Sequence, residues 1–533
     1  MEKQQHSESH NSKISNATLR VAIGGVFSLL AGLASQVITA YLFGAGSEMD
    51  AFFTALTIPM YIQIVLLGGL PFVVIPAFVN EETAGREEDA WGLVGTFIWL
   101  TSIILLGVAL MGALFSTQII DISAPGFGEV KSNLATHMLT ILMFTIPFIG
   151  LGTFTSGVEN VRSHFFWPAA ATAVGSLGNV IALWLLHPIL GPMALAWGNL
   201  TSAVLFAGVT TIPVFKHGWK KTLSLKDPRF VETVRLITPF ILVGLITNSR
   251  LILERYFASS LPDGQLSYIG YAGKISNIFV VLLAASIASA IFPAMARAYS
   301  THGMDGLVKQ TDFGLRLTLA LALPAVLITS ILAIPMVKIF FERGAFVAAT
   351  TLSVSLLIPI VMLNDVFFRM VGNMLGRTFF VLKDTLTGNL ISSVTIIFYI
   401  GAAKYLTELW GFWGLALSQP IQSGLSVCIL TIFLFRRIKQ YSFASLFKQG
   451  LIYTLISLVA ALYGWLMLQL LGHFSAIVQL GVGGVSSVLV YWALLYAVDR
   501  EIAISILEMT GISKIYTAIR ARISPAHETS PLG

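Results

Sequence analysis

The sequence predicts an all-α polytopic membrane protein with about fourteen transmembrane helices, arranged as two pseudo-symmetric six-helix lobes plus two C-terminal helices. Composition is the first observation that predicts this class. Of 533 residues, 56% are hydrophobic and 11% are charged, with a mean hydropathy of +0.83, whereas soluble domains carry roughly 25% charged residues. The second observation is a pattern that recurs in the same order in both halves of the chain, about 216 residues apart.

The repeat includes loops, prolines and basic residues. An apolar run ending near Pro76 matches one ending near Pro293, and Arg162 before a pair of aromatic residues matches Arg377. Many secondary transporters are built from such parallel repeats, with the substrate site between the two halves. Several matches at a nearly constant offset favour a duplicated multi-helix unit over chance similarity.

Fourteen apolar segments are long enough to cross a hydrocarbon core of roughly 30 Å. Their cores lie near residues 19–43, 51–78, 91–116, 135–157, 166–187, 192–215, 233–257, 269–296, 314–340, 350–376, 386–403, 411–435, 447–471 and 476–498. The division predicted from them is a tail (1–16), an N-lobe (17–215), an inter-lobe linker (216–231), a C-lobe (232–435), two extra spans (447–498) and an amphipathic tail (499–533).

The charges of the loops predict the orientation of the chain. Most Lys and Arg residues fall on one side, including five between Lys216 and Arg229, while the other side carries little beyond Lys131, Arg343 and Lys404. Short loops rich in Lys and Arg stay in the cytoplasm. Both termini are therefore predicted to be cytoplasmic. The same asymmetry explains the net charge of +6 without nucleic acid as a partner.

Charged residues inside the predicted spans mark candidate functional positions, because each costs roughly 2.5–3.5 kcal/mol at a helix centre on insertion scales. The seventh span holds Arg250, Glu254 and Arg255, and the eighth holds Lys274 with Asn277 one turn away. Arg250 and Glu254 are four residues apart and can pair. Arg255 is close enough to the outer end of its span for a snorkelling, structural interpretation.

Other polar positions have two interpretations each. Asp365 and Arg369 are four apart in the tenth span, which favours a self-neutralising structural pair. Asp50, at the start of the second span, is either a helix cap or a gate residue. Ser35 and Gln36 in the first span either line a cavity or bond to neighbouring backbone.

An anionic substrate explains Arg250 and Lys274 together, because guanidinium and ammonium groups bind phosphate oxygens. No phosphate-binding Gly-rich loop with Lys-Ser/Thr, zinc-ligand His spacing or nucleophile elbow is present in the sequence. The only cysteine, Cys428, excludes a disulfide within the chain. We therefore expect a transporter, not an enzyme, with no metal or cofactor; coupling to the membrane potential or to a monovalent ion stays open.

The sequence resembles the MurJ/MviN family of lipid II flippases, within the multidrug/oligosaccharidyl-lipid/polysaccharide exporter superfamily. The segments that carry the resemblance are residues 42–46, 50–53, 124–127, 194–198, 261–264, 341–346 and 377–385. The resemblance implies fourteen helices around a central cavity that opens alternately to each side. It also implies transport of an undecaprenyl-pyrophosphate-linked sugar to the outer leaflet of the bacterial inner membrane. Asp50 matches the family's aspartate, and Lys274 falls where the family usually has a cavity arginine.

The sequence also departs from the family pattern where pyrophosphate binding is expected. Ser35 and Gln36 replace a usual Arg-Asp pair, Thr57 replaces a usual lysine, and Gln63 replaces a basic residue. Arg250, by contrast, stands where the family commonly has an uncharged residue. Either positive charge has moved from one lobe to the other, or this member handles a different lipid-linked glycan.

The leading interpretation is a flippase for a polyprenyl-pyrophosphate-linked saccharide, either a lipid II-like peptidoglycan precursor or an exopolysaccharide unit. Its partners would be that saccharide, membrane lipids and, as an open alternative, glycan-synthesis enzymes. A second hypothesis is a cation-coupled drug exporter of the same superfamily, which would need acidic residues deep in a lobe. A third is a non-transporting membrane scaffold of a glycan-synthesis complex, against which a lysine within a span argues.

Overall fold

Helices make up the described part of the computed structural model, which contains no strand there. The structure describes residues 27–68, 78–79, 82–162, 164–216, 241–384, 386–438 and 443–509, together with 25, 235 and 238. Within these residues, eleven helical segments are long and apolar enough to cross a membrane. The predicted class, an all-α polytopic membrane protein, is therefore confirmed.

The helices follow the predicted order of apolar segments. Their bounds are Phe27–Phe43, Ser47–Leu67, Glu87–Leu114, Ser116–Ser123, Glu129–Met143, Thr145–Val161, Phe166–Leu190, Ala194–Lys216, Arg250–Ala258, Gln265–Ile331, Ala333–Phe340, Ala348–Met362, Arg369–Val381, Leu386–Trp410, Phe412–Arg437, Phe443–Leu470, Val485–Val498 and Arg500–Met509. Two π-helical segments, Leu363–Phe368 and Gln479–Gly484, interrupt them.

Some boundaries differ from the predicted ones for local reasons. The second helix begins at Ser47, four residues before the predicted apolar core, because Glu48 and Asp50 fall in its first turn and favour a helix N-terminus. The long segment Gln265–Ile331 is broken at Gly303, whose φ of 60° is not helical. The count of fourteen spans stays a prediction, since parts of the predicted first, second and seventh spans lie outside the described residues.

The chain divides into two compact units. The first comprises Met1–Gly270, Phe340–Thr350 and Ala403–Leu415, and the second comprises the remaining three stretches, Tyr271–Ile339, Thr351–Ala402 and Ala416–Gly533. The predicted lobes of residues 17–215 and 232–435 remain a prediction. Several predicted features lie outside the described residues: Pro76, the linker beyond Lys216, and the two chain ends, 1–24 and 510–533.

In the second unit, Asp499 fastens the last helices to earlier ones. Its Oδ2 accepts hydrogen bonds from Tyr453 Oη and Arg316 Nη2, both at 2.5 Å. Its Oδ1 accepts the backbone N–H of Ile502 at 3.2 Å and so caps the helix Arg500–Met509. Tyr491 Oη adds a hydrogen bond to the Ala320 carbonyl at 2.6 Å. The two extra spans and the first turns of the C-terminal tail are thus held by buried polar contacts.

Candidate functional site

Asp50 is almost completely buried, at 1% exposure, and its carboxylate lies at the start of another helix. Its Oδ2 accepts the backbone N–H of Gly264 at 2.7 Å, and its Oδ1 accepts that of Ser267 at 2.8 Å. These are the N-cap and N3 positions of the helix that begins at Gln265. Asp50 therefore caps the helix that begins at Gln265 and not the start of its own helix, where the cap was predicted.

Lys131 completes the charge balance around Asp50. Its Nζ lies 3.0 Å from Asp50 Oδ2 and 2.9 Å from Asp263 Oδ1, and its side chain is only 9% exposed. The ring of Phe127 lies 4.4 Å from the same ammonium. A buried carboxylate is stable only when it is paired and hydrogen-bonded, and Lys131 supplies the pair. We call Asp50, Lys131, Asp263, Gly264 and Ser267 the Asp50 cluster.

Loop backbones pack closely in the same unit. The N–H of Ala345 donates to the Tyr41 carbonyl at 2.9 Å. Gly44 and Gly344 both have positive φ, 59° and 61°, and a Cβ on either would overlap the other loop's backbone. Both segments belong to the set that carries the family resemblance, so close backbone contact explains the glycines there.

Arg255 is half-buried, and its guanidinium contacts a neighbouring helix instead of extending to the outer end of its own helix. Its side chain is 13% exposed, its Nε donates to Thr57 Oγ1 at 2.9 Å, and its Nη1 lies 3.5 Å from Glu254 Oε1. Long side chains on a helix lean toward the helix N-terminus, which here is away from the turn at residues 259–264. The lean carries the guanidinium toward the middle of the Ser47–Leu67 helix.

Ser35 and Gln36 differ in their surroundings. Ser35 is buried, and its Oγ accepts a hydrogen bond from Asn179 Nδ2 at 2.7 Å. This contact ties the first helix to the helix Phe166–Leu190, which favours the structural interpretation of Ser35. The Oε1 of Gln36 is buried without a hydrogen-bond partner among the described residues, so Gln36 still has acceptor capacity for a ligand.

The predicted cations lie in different units. Arg250 is half-buried at the start of the helix Arg250–Ala258 in the first unit, and Lys274 is half-buried in the second. The Nζ of Lys274 lies 5.4 Å from the centroid of the buried Tyr271 ring. Asn277, one turn further along, is exposed. A shared anion site for Arg250 and Lys274 is thus a proposal.

A polar network lies at the π-helical segment in the second unit. Asn364 is fully buried, its Nδ2 donates to Asp365 Oδ1 at 2.8 Å, and its Oδ1 accepts from Ser423 Oγ at 2.7 Å. Arg369 Nη1 donates to Asp365 Oδ1 at 3.1 Å. The predicted Asp365–Arg369 pair is confirmed.

Sequence reasoning missed the role of three residues in these contacts. The sequence identified Lys131 only as an exception to the charge asymmetry. Its pairing with Asp50, 81 positions away in the chain, was not predicted. Asp263 and Thr57 were named as sequence features, but their contacts with Lys131 and Arg255 were not predicted. The one available signal was local: a lysine four residues after Phe127 in a segment otherwise poor in basic residues.

Comparison with known proteins identifies the family. The family model described as lipid II flippase MurJ matches residues 39–485. A probable lipid II flippase MurJ of Buchnera aphidicola subsp. Schizaphis graminum is 25% identical over 429 residues, which cover 78% of this chain and 82% of the relative. One of Aquifex aeolicus is 25% identical over 462 residues, covering 83% and 89%.

Solved structures show the same fold. A lipid II flippase MurJ in an inward closed conformation superposes with a TM-score of 0.73 at 22% identity, over 90% of this chain and 99% of that one. An inward-facing multidrug resistance MATE transporter of the MOP superfamily superposes with a TM-score of 0.64 at 15% identity, over 81% and 99%. Because the family model covers most of the sequence, this chain belongs to the lipid II flippase MurJ family, as the sequence resemblance predicted.

Proposed function

We propose that this protein moves a polyprenyl-pyrophosphate-linked saccharide of the lipid II type from the inner to the outer leaflet of the bacterial inner membrane. Membership of the lipid II flippase MurJ family over residues 39–485 is the observation that carries the proposal. The mechanism is alternating access, in which the substrate site opens to one side of the membrane at a time. No step of it requires a cofactor, and its energy would come from the membrane potential or a monovalent-ion gradient.

Cations inside spans support an anionic substrate. Lys274 lies in the helical segment Gln265–Leu283, which is apolar enough for the membrane, and Arg250 begins the helix Arg250–Ala258 in the predicted seventh span. An unneeded charge within a span would be costly. We propose that each of them binds phosphate oxygens of the lipid carrier. Glu254, Asn277 and Gln36 are further proposed substrate-binding residues, while Ser35 would hold the first helix in position.

The Asp50 cluster supports a gated path. Hydrogen bonds to a carboxylate and a paired ammonium hold three chain segments together at the ends of their helices. Such contacts can separate and re-form when each group gains water in exchange. We assign the cluster to closure of the outward opening, with both termini in the cytoplasm.

The drug-exporter alternative is not favoured. A cation-coupled exporter needs acidic residues that exchange a proton or cation deep in a lobe. Glu254 and Asp365, the acids that the sequence places within predicted spans, each have an arginine nitrogen close by, at 3.5 Å and 3.1 Å. The likeness to MATE transporters, at 15% identity, shows a common fold only.

The proposal is tested by expression in a bacterium depleted of its own lipid II flippase. The wild-type chain should restore growth, and Lys274→Arg should restore it better than Lys274→Ala at equal abundance in the membrane. Lys404→Ala is the matched control, because Lys404 is an exposed lysine outside the proposed path and should behave like the wild type. Absence of rescue by abundant wild-type protein would overturn lipid II transport as the function.

A further inference from the structure

Arg255 places a guanidinium deep in the first unit. Its hydrogen-bond partner Thr57 lies at the middle of the 21-residue helix Ser47–Leu67, which is long enough to cross a membrane. Thr57 is seven residues from Asp50, or about 10 Å along a helix at 1.5 Å per residue. The guanidinium is therefore well separated from the Asp50 cluster and lies at mid-span depth.

The position of the guanidinium is fixed by contacts between two helices. Thr57 Oγ1 donates its proton to the Phe53 carbonyl at 2.7 Å, so its lone pair is oriented to accept from Arg255 Nε. One turn further, Tyr61 Oη donates to the Leu245 carbonyl at 2.7 Å. Residues four apart on one helix face thus hold the Arg255-bearing segment in register, and the orientation of the guanidinium is set before any ligand binds.

One Nη nitrogen of the guanidinium has unused donors. An arginine carries five N–H groups, and Nη1 of Arg255 is buried without a hydrogen bond in the part of the chain that the structure describes. Glu254 Oε1 is near, at 3.5 Å, but at that distance the contact is an ion pair without a hydrogen bond. A buried charged donor without an acceptor is costly, so Nη1 can donate to a partner beyond the described residues.

The contacts of Arg255 also favour an anion. The partner of Nε is a neutral hydroxyl, which orients the guanidinium without cancelling its charge. The contact of Arg255 with Glu254, at 3.5 Å, is longer than the contact of Arg369 with Asp365, at 3.1 Å, where Nη1 donates a hydrogen bond to the carboxylate.

We infer that Arg255 binds the phosphate oxygens of the substrate through its Nη edge, with Thr57 as its positioning residue. The planar fork of a guanidinium matches two phosphate oxygens, which a lysine ammonium does not. The inference deepens the proposed function and rests on it, because it assigns the pyrophosphate of the lipid carrier to a specific residue. It also assigns a role to Thr57, because the guanidinium of Arg255 from the helix Arg250–Ala258 lies beside it.

The test is binding of undecaprenyl pyrophosphate to the purified full-length protein in detergent, measured by native mass spectrometry, with undecaprenol as the probe that lacks phosphate. The key variant is Arg255→Met with Glu254→Gln, which removes both members of the ion pair and leaves no buried charge unpaired. We expect its affinity for undecaprenyl pyrophosphate to fall at least tenfold, with affinity for undecaprenol unchanged. The affinity of Arg255→Lys for undecaprenyl pyrophosphate should fall by a smaller factor, because the positive charge is kept and only the planar fork of the guanidinium is lost.

Two further variants separate binding from structure. Arg255→Met with Thr57→Lys returns a cation to the same place from the other helix, and should recover most of the lost affinity. Arg369→Met with Asp365→Asn removes a matched ion pair elsewhere in a span and should bind like the wild type. Wild-type affinity in the folded Arg255→Met/Glu254→Gln protein would overturn the inference alone. Equal affinity of the wild-type protein for undecaprenol and for undecaprenyl pyrophosphate would instead contradict the proposed function.

Discussion

Asp50 and Ser267 are 217 positions apart in the chain, and Asp50 Oδ1 accepts the backbone N–H of Ser267 at 2.8 Å. A carboxylate at this place satisfies N–H groups that have no partner within their own helix and interacts favourably with the helix dipole. The same carboxylate pairs with Lys131 at 3.0 Å. One side chain therefore joins three segments from distant parts of the sequence.

Replacement of Asp50 should destabilise the protein more than replacement of Lys131. Asp50→Ala leaves two backbone N–H groups without their acceptor and removes one of the two carboxylates that pair with Lys131; loss of one member of a buried pair costs about 3–5 kcal/mol. Lys131→Met leaves Asp50 with its two backbone donors, and the carboxyl group can become neutral by binding a proton, so we expect a smaller loss. The apparent Tm in detergent measures the stability of both variants. An Asp50→Ala protein as stable as Lys131→Met would contradict the role of Asp50 as the central acceptor of the Asp50 cluster.

Gly344→Ala should be far more destabilising than Gly85→Ala. Both glycines have positive φ, 61° and 75°, so both substitutions carry the left-handed strain of about 1–2 kcal/mol. At Gly344 the new methyl group also overlaps the Tyr41 carbonyl oxygen, whereas nothing lies near it at Gly85. Overpacking adds about 1–3 kcal/mol. Equal changes in Tm would mean that the two loops do not pack as closely as described.

Asp499→Asn should lower stability at neutral pH by about 1.5–3 kcal/mol, the range for hydrogen bonds to a charged group. Burial alone raises the pKa of Asp499, but hydrogen bonds from Tyr453 and Arg316 outweigh burial and hold this pKa below its ordinary value. A lowered pKa in the folded state stabilises the protein above the unfolded pKa of about 3.9, and this contribution disappears as the pH falls through the folded value.

The difference in Tm between wild type and Asp499→Asn should therefore be constant from pH 8 to pH 5 and shrink only below about pH 4. The matched control is Asp89→Asn, because Asp89 is an exposed carboxylate in the first turn of the helix Glu87–Leu114. A difference for Asp499→Asn that changes between pH 8 and pH 5 would show that another group controls the stability of the last helices.

Sidedness is tested with single cysteines on a Cys428→Ala background, since Cys428 is exposed. We expect an impermeant maleimide to label Val130→Cys in intact cells and to label Lys220→Cys only after the cells are opened. Val130 is 85% exposed and lies on the predicted outer side, while Lys220 lies in the basic segment that predicts the cytoplasmic side. The reverse labelling pattern would invert the proposed topology.

Hydropathy was sufficient to predict the fold class because each spanning helix must be apolar over about 20 residues whatever its neighbours are. The Asp365–Arg369 pair was equally predictable, since both residues lie on one helix four positions apart. Long-range contacts were not. Nothing in the local sequence links Asp50 to Lys131 or to the N–H of Ser267, because these contacts depend on how distant helices pack.

Arg255 shows why residue height in a span is a poor guide to the position of a charge. The sequence fixes the distance of its Cα from the end of the helix, which favoured snorkelling. The direction in which the side chain leans, and the acceptor offered by Thr57, both follow from the packed helices. For that reason the sequence predicts Arg250 as a phosphate-binding residue, whereas Arg255 becomes a candidate only from the structure.

Export of the lipid-linked precursor itself is the most direct measurement of the central claim. Cells in which this chain is the only lipid II flippase would be treated with an impermeant probe that reacts with lipid II in the outer leaflet. We expect a substantial accessible fraction with wild-type protein, and a several-fold smaller fraction with Lys274→Ala at equal abundance. Accessible lipid II at the level of flippase-depleted cells, despite abundant wild-type protein, would contradict lipid II transport by this protein.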